Sequence, residues 1–387
     1  MTERLFSYRS LLLRPRFQLA LLVGIVLVAT LHRLILFPEG SFNNFYIFRA
    51  SFTNLCSGAD LYILHPEQYF DLYKYSPSFA AVMGIFHVLP AVVGVVIWNL
   101  LNALLPWWGL RRLQIGEKWK AFILLFVLIE LITSVQNAQS NGIMTGLLLL
   151  ALSAFERKQV GYAALFIVLG FYIKLFAIVA GLLFVFYPQR IKFLISGAAW
   201  LAFFAALPLL FTSPALLTAQ YKSWLHLLAN DPAHELNFSL MTLCERWFGL
   251  HAPDSWFLVP GAILLLLPLL RKQHWQNESF RMLYLAAVLI WTVIFNHKAE
   301  SPTYIIAITG IGIWAVSQPK GILKTALLLL AFIGTELVPT DIFPHSWRTE
   351  FFVPYAVKAF PAILIFGVLM WRLLRGKYFA EQKYMTT

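Results

Sequence analysis

The sequence predicts an all-α polytopic membrane protein, and three observations carry that prediction. The 387-residue chain is 60% hydrophobic and 12% charged, whereas a soluble domain carries about 25% charged residues. Its mean hydropathy is +0.72. The apolar stretches are continuous, as in LALLVGIVLVATL at 19–31, which suits membrane helices rather than the alternating ten-residue segments of an outer-membrane barrel. Together these features exclude a soluble enzyme, a disordered chain and a fibrous protein. The net charge of +12 reads as cytoplasmic-loop charge, the usual source of excess Lys and Arg in membrane proteins. No nucleic-acid motif accompanies it, so a nucleic-acid partner is not expected.

The elements follow in order from that class. Arg4, Arg9, Arg14 and Arg16 precede the first apolar run, which is read as an uncleaved span with its amino end inside, because no small-residue cleavage site follows. Basic breaks recur at 111–120, 156–161, 188–192, 271–281, 318–324 and 372–387, and with residues 1–16 they hold 21 of the 30 Lys and Arg. The other breaks, at 38–76, 136–141, around 174, 212–255, 297–302 and 338–355, hold most of the acidic residues. Alternating the two sets predicts about twelve spans in one membrane domain, 1–387, with both termini cytoplasmic. The first outer loop then runs over about 38–90 and the second over about 212–255. Parity requires that 77–89 not cross. Thirteen residues reach about 20 Å as a helix, short of the roughly 30 Å hydrocarbon core, so an interfacial helix is expected there. Only Cys56 and Cys244 are present, which argues against a disulfide framework or a cysteine metal site.

The polar residues collect on the predicted outer face. The first outer loop carries Asn43, Asn44, Arg49, Asp60, Glu67, Asp71, Lys74 and Tyr75. The second carries Lys222, Asp231, His234, Glu235, Asn237, Glu245 and Arg246. Gln139 and Asn141 in QNAQSN (136–141) offer uncharged groups that suit sugar hydroxyls or, equally, helix capping. Lys174 interrupts two short apolar runs, as a phosphate ligand or a snorkelling side chain. The densest segment is NHKAESPT at 296–303. His297 and Glu300 can act as acid or base there, and Lys298 can hold a phosphate. Glu130, inside an apolar run, is expected to face the interior, paired or protonated. No Walker loop, zinc spacing or dinucleotide fingerprint is present, so neither a metal nor a cofactor is expected.

Several of these segments, in this order, resemble the family 87 glycosyltransferases of the GT-C superfamily. NNFYIFRASF (43–52), GADLY (58–62), YKYSPSFA (73–80), AQSN (138–141), the isolated Lys174, LNFSL (236–240) and NHKAESPT match the order of that family's elements. The resemblance implies a GT-C-like fold and an inverting transfer of a hexose, mannose being the usual family sugar. The donor would be a polyprenyl-phosphate sugar, and the acceptor an extracytoplasmic glycan or glycolipid beside the lipid bilayer. It also implies a place in the inner (cytoplasmic) membrane with the site facing outward. Lys174, Lys298 and Arg49 would then hold the donor phosphate, and Asn43, Asn44, Tyr75, Gln139, Asn141 and Asn237 would contact sugar or acceptor. The sequence departs from the pattern at three points. Asn44 replaces the acidic residue that opens the family's first outer loop, Ala138 replaces a glycine, and Ser76-Pro77 replaces a proline pair. Since an amide cannot take a proton, Glu300, His297 and Asp60 are the candidate bases, with Glu300 and His297 preferred because they sit beside a cation. A multispanning transporter or flippase, or an inactive relative that binds glycolipid, are the alternatives.

Overall fold

The computed structural model describes residues 11–37, 42–230 and 237–376. Arg4, Arg9, Asp231, His234 and Glu235 lie outside the described residues. Within them, every regular element is helical. In chain order the main helices are α1 (Pro15–Leu36), α2 (Asn43–Ser57), α3 (Pro77–Val82), α4 (Gly84–His87), α5 (Ala91–Arg112), α6 (Glu117–Phe126), α7 (Leu128–Gln136), α8 (Asn141–Glu156) and α9 (Val160–Ile173). After a 3-10 helix at Leu175–Phe186 come α10 (Arg190–Ala206), α11 (Pro214–Asn230), α12 (Leu240–Phe248), α13 (Ser255–Leu266), α14 (Glu278–Ile294), α15 (Tyr304–Val316), α16 (Ile322–Ala331) and α17 (Phe360–Arg375).

Four of the described helical segments are long and apolar enough to cross a membrane: Pro15–Leu36, Ala91–Arg112, Arg190–Leu210 and Val357–Arg375. The pair α6 and α7, bent by 47°, makes a fifth if taken as one span. At 22 residues, α1 spans about 33 Å, enough for the hydrocarbon core. The remaining apolar helices, α8, α9 and α15 among them, have 10–17 residues. Length and composition therefore establish a multi-pass helical membrane protein with fewer full-length spans than the twelve the loop charges predict. Residues 77–89 fold as the two short helices α3 and α4, with Phe79, Ala80, Ala81 and Met83 buried and Ile85 and Val88 exposed.

The core forms where small residues let backbones approach. Gly142 and Gly146 stand four residues apart on α8 and face α5. A Cβ on Gly142 would lie 2.0 Å from the Asn102 carbonyl oxygen, and one on Gly146 would lie 2.5 Å from the Leu105 carbonyl carbon. This is the small-xxx-small contact by which membrane helices associate without a hydrophobic driving force between them. Behind it, α14 and α15 are buried along almost their whole length.

Two ion pairs sit inside this core. Glu130 on α7 is fully buried and accepts from Lys358 Nζ at 2.7 Å, so the residue expected to face the interior does so with a partner. Lys358 also donates to Ser301 Oγ at 2.7 Å and lies 5.2 Å from the centre of the Tyr304 ring. At the other end of α8, Arg281 forms a two-pronged pair with Glu156 at 2.6 and 2.7 Å, and Tyr187 donates to the same carboxylate.

Lys358→Ala is expected to destabilise the protein by about 3–5 kcal/mol, the usual cost of leaving one member of a buried ion pair alone. Exchanging both members, with Glu130→Leu and Lys358→Met, is expected to recover most of that loss. Thermal unfolding in detergent, read as Tm for the single and double variants, checks it.

Candidate active site

The segments singled out in the sequence are placed by hydrogen bonds that explain their residue types. Gly58 ends α2 with φ +73, the left-handed cap at which glycine has no Cβ penalty. Asp60 then accepts from the Tyr62 N–H at 2.9 Å and from Ser223 Oγ at 3.0 Å, and Gln220 of α11 bonds both Ala59 and Leu61 backbones. Tyr62 in turn donates to the Tyr75 carbonyl at 2.9 Å. GADLY is thus a clamp that ties the loop to α11. Ser76 is the N-cap of α3, its hydroxyl accepting from the Phe79 N–H at 3.1 Å and donating to the Tyr172 carbonyl at 2.6 Å. Pro77 fills the first helical position, where its missing N–H costs nothing. The Ser-Pro pair is therefore a complete helix start.

Ala138, where the resemblance has glycine, adopts φ +46. It is held there by Trp98, whose Nε1 donates to its carbonyl at 2.9 Å. This left-handed residue turns Gln139 toward the late loop, where its Nε2 donates to Glu300 Oε2 at 3.0 Å. Asn141 Oδ1 accepts from Lys174 Nζ at 2.7 Å, and Lys174 is also within electrostatic reach of Glu300. The Phe238 N–H donates to the Ala299 carbonyl at 2.8 Å, and Tyr304 donates to the Phe238 carbonyl at 2.7 Å.

These elements enclose a cavity of about 530 Å³. Its lining brings together Asn44, Tyr75, Gln139, Lys174, His297, Lys298 and Glu300 from the sequence-predicted set, and adds Asp71 and Lys74. Apolar side chains line it too, among them Ile173, Leu175, Phe176, Val179, Leu258 and Phe295. His297 Nδ1 lies 3.1 Å from Asp254 Oδ2, a partner that the sequence reading passed over. Burial pushes the Tyr75 phenol above its usual range, a hydrogen bond with Ser140 opposes this, and the Glu300 and Asp71 charges add a smaller upward push, so Tyr75 stays protonated.

Five predicted residues lie outside this lining. Asp60 has its carboxylate committed to the loop clamp. Arg49 donates to the carbonyls of Phe86, His87 and Leu89 at 3.1–3.4 Å, capping the end of α4 where carbonyls lack helical partners. Asn43 bonds both backbone groups of Phe70. Asn237 accepts from Ser239 and Thr242. Asn141, fully buried, acts through its bond to Lys174. Capping and ligand binding use the same residue types, and sequence spacing does not separate them. Asp71, one of the polar residues of the first outer loop, carried no local signal that set it apart for the site; its backbone takes φ +76, a conformation that Asp tolerates better than most residues. Among the described residues no group of three His, Cys, Asp or Glu is placed to hold a metal ion, and both cysteines are free.

A helical membrane protein with a cavity lined by both charged and apolar side chains is the class that this geometry defines. Residues 73–296 match the model of glycosyltransferase family 87, and the chain belongs to that family, the GT-C-like one that its motifs resemble. A search of curated proteins finds no match. Among solved structures the chain is similar to the crystal structure of ArnT from Cupriavidus metallidurans bound to undecaprenyl phosphate. The identity is 15%, the match covers 92% of this chain and 77% of that one, and the TM-score is 0.38.

Ala138 holds a strained backbone of about 1–2 kcal/mol. Ala138→Gly is expected to relieve that strain while losing one buried methyl, about 0.8 kcal/mol, and so to leave Tm nearly unchanged. Ala138→Val, β-branched at positive φ, is expected to lower Tm measurably. Paired melting curves check both.

Proposed function

We propose that this family 87 protein transfers a hexose from a polyprenyl-phosphate donor to a glycan or glycolipid acceptor on the outer side of the inner membrane, with inversion at the anomeric carbon. The observation that carries the reading is one cavity lined by both cations and apolar side chains. Its lining holds Lys74, Lys174 and Lys298 against the carboxylates Asp71 and Glu300, an excess of one positive charge with His297 neutral. A sugar phosphodiester carries one negative charge, and the apolar side chains suit an isoprenoid chain. Mannose, the usual family sugar, is the first donor to try.

Lys174 and Lys298 supply point charges for the phosphate, and Lys174 is aimed by Asn141. Gln139 and Tyr75 donate toward the sugar hydroxyls. Transfer needs a group that removes the acceptor proton, and the cavity wall narrows the choice to Glu300, His297 and Asp71. Electrostatic help comes from placing cations where the departing phosphate gains charge, in a pocket with little water to screen them. No metal or cofactor enters this scheme. In the membrane arrangement we propose, the shorter apolar helices complete about twelve crossings, α3 and α4 lie at the outer interface, and both termini are cytoplasmic.

Two experiments test this. With radiolabelled polyprenyl-phosphate hexoses in proteoliposomes, Lys174→Ala is expected to raise the donor KM, while Glu300→Gln and His297→Ala lower transfer with membrane insertion intact. Full transfer in both of the latter would remove these residues from the reaction centre. In a background lacking Cys56 and Cys244, single cysteines at positions 115 and 300 are expected to label from opposite sides of the membrane. Labelling from one side would overturn the outward-facing site.

A further inference from the structure

The first helix of the outer loop begins with two amides, Asn43 and Asn44, and an amide cannot accept a proton from a hydroxyl. Asn44 lines the cavity. Asn43 binds the chain 27 residues away: its Oδ1 accepts from the Phe70 N–H at 2.8 Å and its Nδ2 donates to the Phe70 carbonyl. This pair of bonds docks the segment that carries Asp71 against the start of α2, and Asp71 lines the same cavity as Asn44. Its backbone sits at φ +76. Strain of this kind collects at functional sites, where surrounding structure holds it in place.

The three groups able to take a proton there differ in what already engages them. Glu300 accepts from Gln139 at 3.0 Å and shares its charge with Lys174. His297 is held through Nδ1 by Asp254. Asp71 is 54% exposed, with Oδ1 accepting from the Leu72 N–H at 2.7 Å and Lys74 Nζ at 4.0 Å, the far limit of an ion pair. Its carboxylate therefore stays half-exposed, with one backbone hydrogen bond and one long ion pair. Tyr75 lines the same cavity as both carboxylates.

We infer that Asp71 is the catalytic base, standing in for a carboxylate absent at position 44; this rests on the glycosyl-transfer reading above. Asp71 takes the proton of the acceptor hydroxyl as that oxygen forms its bond to the anomeric carbon. The bond from that carbon to the phosphate oxygen breaks, and its electron pair leaves with the polyprenyl phosphate, whose added charge meets Lys174 and Lys298.

A carboxylate swap tests the assignment. Asp71→Asn keeps the left-handed preference and the acceptor for the Leu72 N–H, so the loop is retained. Its kcat is expected to fall about 10²–10⁴-fold, the usual worth of a general base, with unchanged binding of polyprenyl phosphate, followed by tryptophan fluorescence. Adding Asn44→Asp to Asp71→Asn is expected to restore at least tenfold of the lost rate, whereas adding it to Glu300→Gln restores nothing. Asp71→Asn within threefold of wild type, or a loss that Asn44→Asp does not relieve, would overturn Asp71 as base while leaving the transfer reading intact. Wild-type protein that binds polyprenyl phosphate yet transfers no hexose from any such donor would overturn the transfer reading, and the base assignment with it.

Discussion

Lys358 holds the interior of the protein to the loop that makes the cavity. A cation with 1% exposure is tolerable in an apolar interior only if its charge and its three donors are met. Glu130 from α7, Ser301 from the late loop and the face of Tyr304 from α15 meet them. Ser301 immediately follows Glu300, so the group that satisfies Lys358 also fixes where Glu300 begins. The requirement to pair a buried charge thereby becomes a constraint on the site.

The same logic runs through the cavity wall at lower cost. Lys174 breaks the chain between α9 and the 3-10 helix, at a point where a helix would need its N–H and carbonyl groups. Its backbone N–H still returns to Gly170 at 2.7 Å, and its side chain ends on Asn141. Asn141 opens α8, whose Gly142 and Gly146 seat it against α5. The close approach of two helices, the aim of one lysine and the placement of Gln139 just ahead of α8 are therefore a single arrangement. A small residue lost at the α5–α8 contact would move the cation as well as the helices.

How much of this was legible in the sequence depends on how local each cause is. The helical membrane class came from composition, which sums over the whole chain. His297, Lys298 and Glu300 were legible because they are nearly consecutive, so wherever that loop goes they go together. Lys174, Gln139 and Tyr75 stood out as polar groups against apolar runs or within short motifs. Arg49 and Asp60 looked equal to them, and the structure spends both on backbone groups, Arg49 at the end of α4 and Asp60 in the GADLY clamp. Asp254 and Asp71 were passed over for the opposite reason. Their positions depend on long-range contacts, from Asp254 to His297 on the far side of α14 and through Asn43 to Phe70 27 residues away, and no periodicity reports such contacts. Twelve crossings were inferred from charge parity, which counts loops and is blind to helix length. The described helices include several of 10–17 residues, which fix the core without each matching the bilayer thickness.

The substitution at Asn44 bears on how such a site can change without being lost. A general base has to reach the reacting hydroxyl, but nothing in proton transfer requires it to sit on one particular backbone segment. Here the start of α2 offers amides, and one of them uses both of its hydrogen-bonding atoms to recruit a second segment. What that segment brings is a carboxylate on a left-handed residue, placed in the wall of the shared space. The amide at position 44 itself donates to the Asn137 carbonyl at 2.9 Å, a bond that an ionised carboxylate could not make, since it only accepts. Asn44 thus joins α2 to the turn that carries Ala138 and Gln139, where an aspartate would instead repel that carbonyl. The amide at 44 and the amide at 43 thus both serve to hold neighbouring segments against the start of α2.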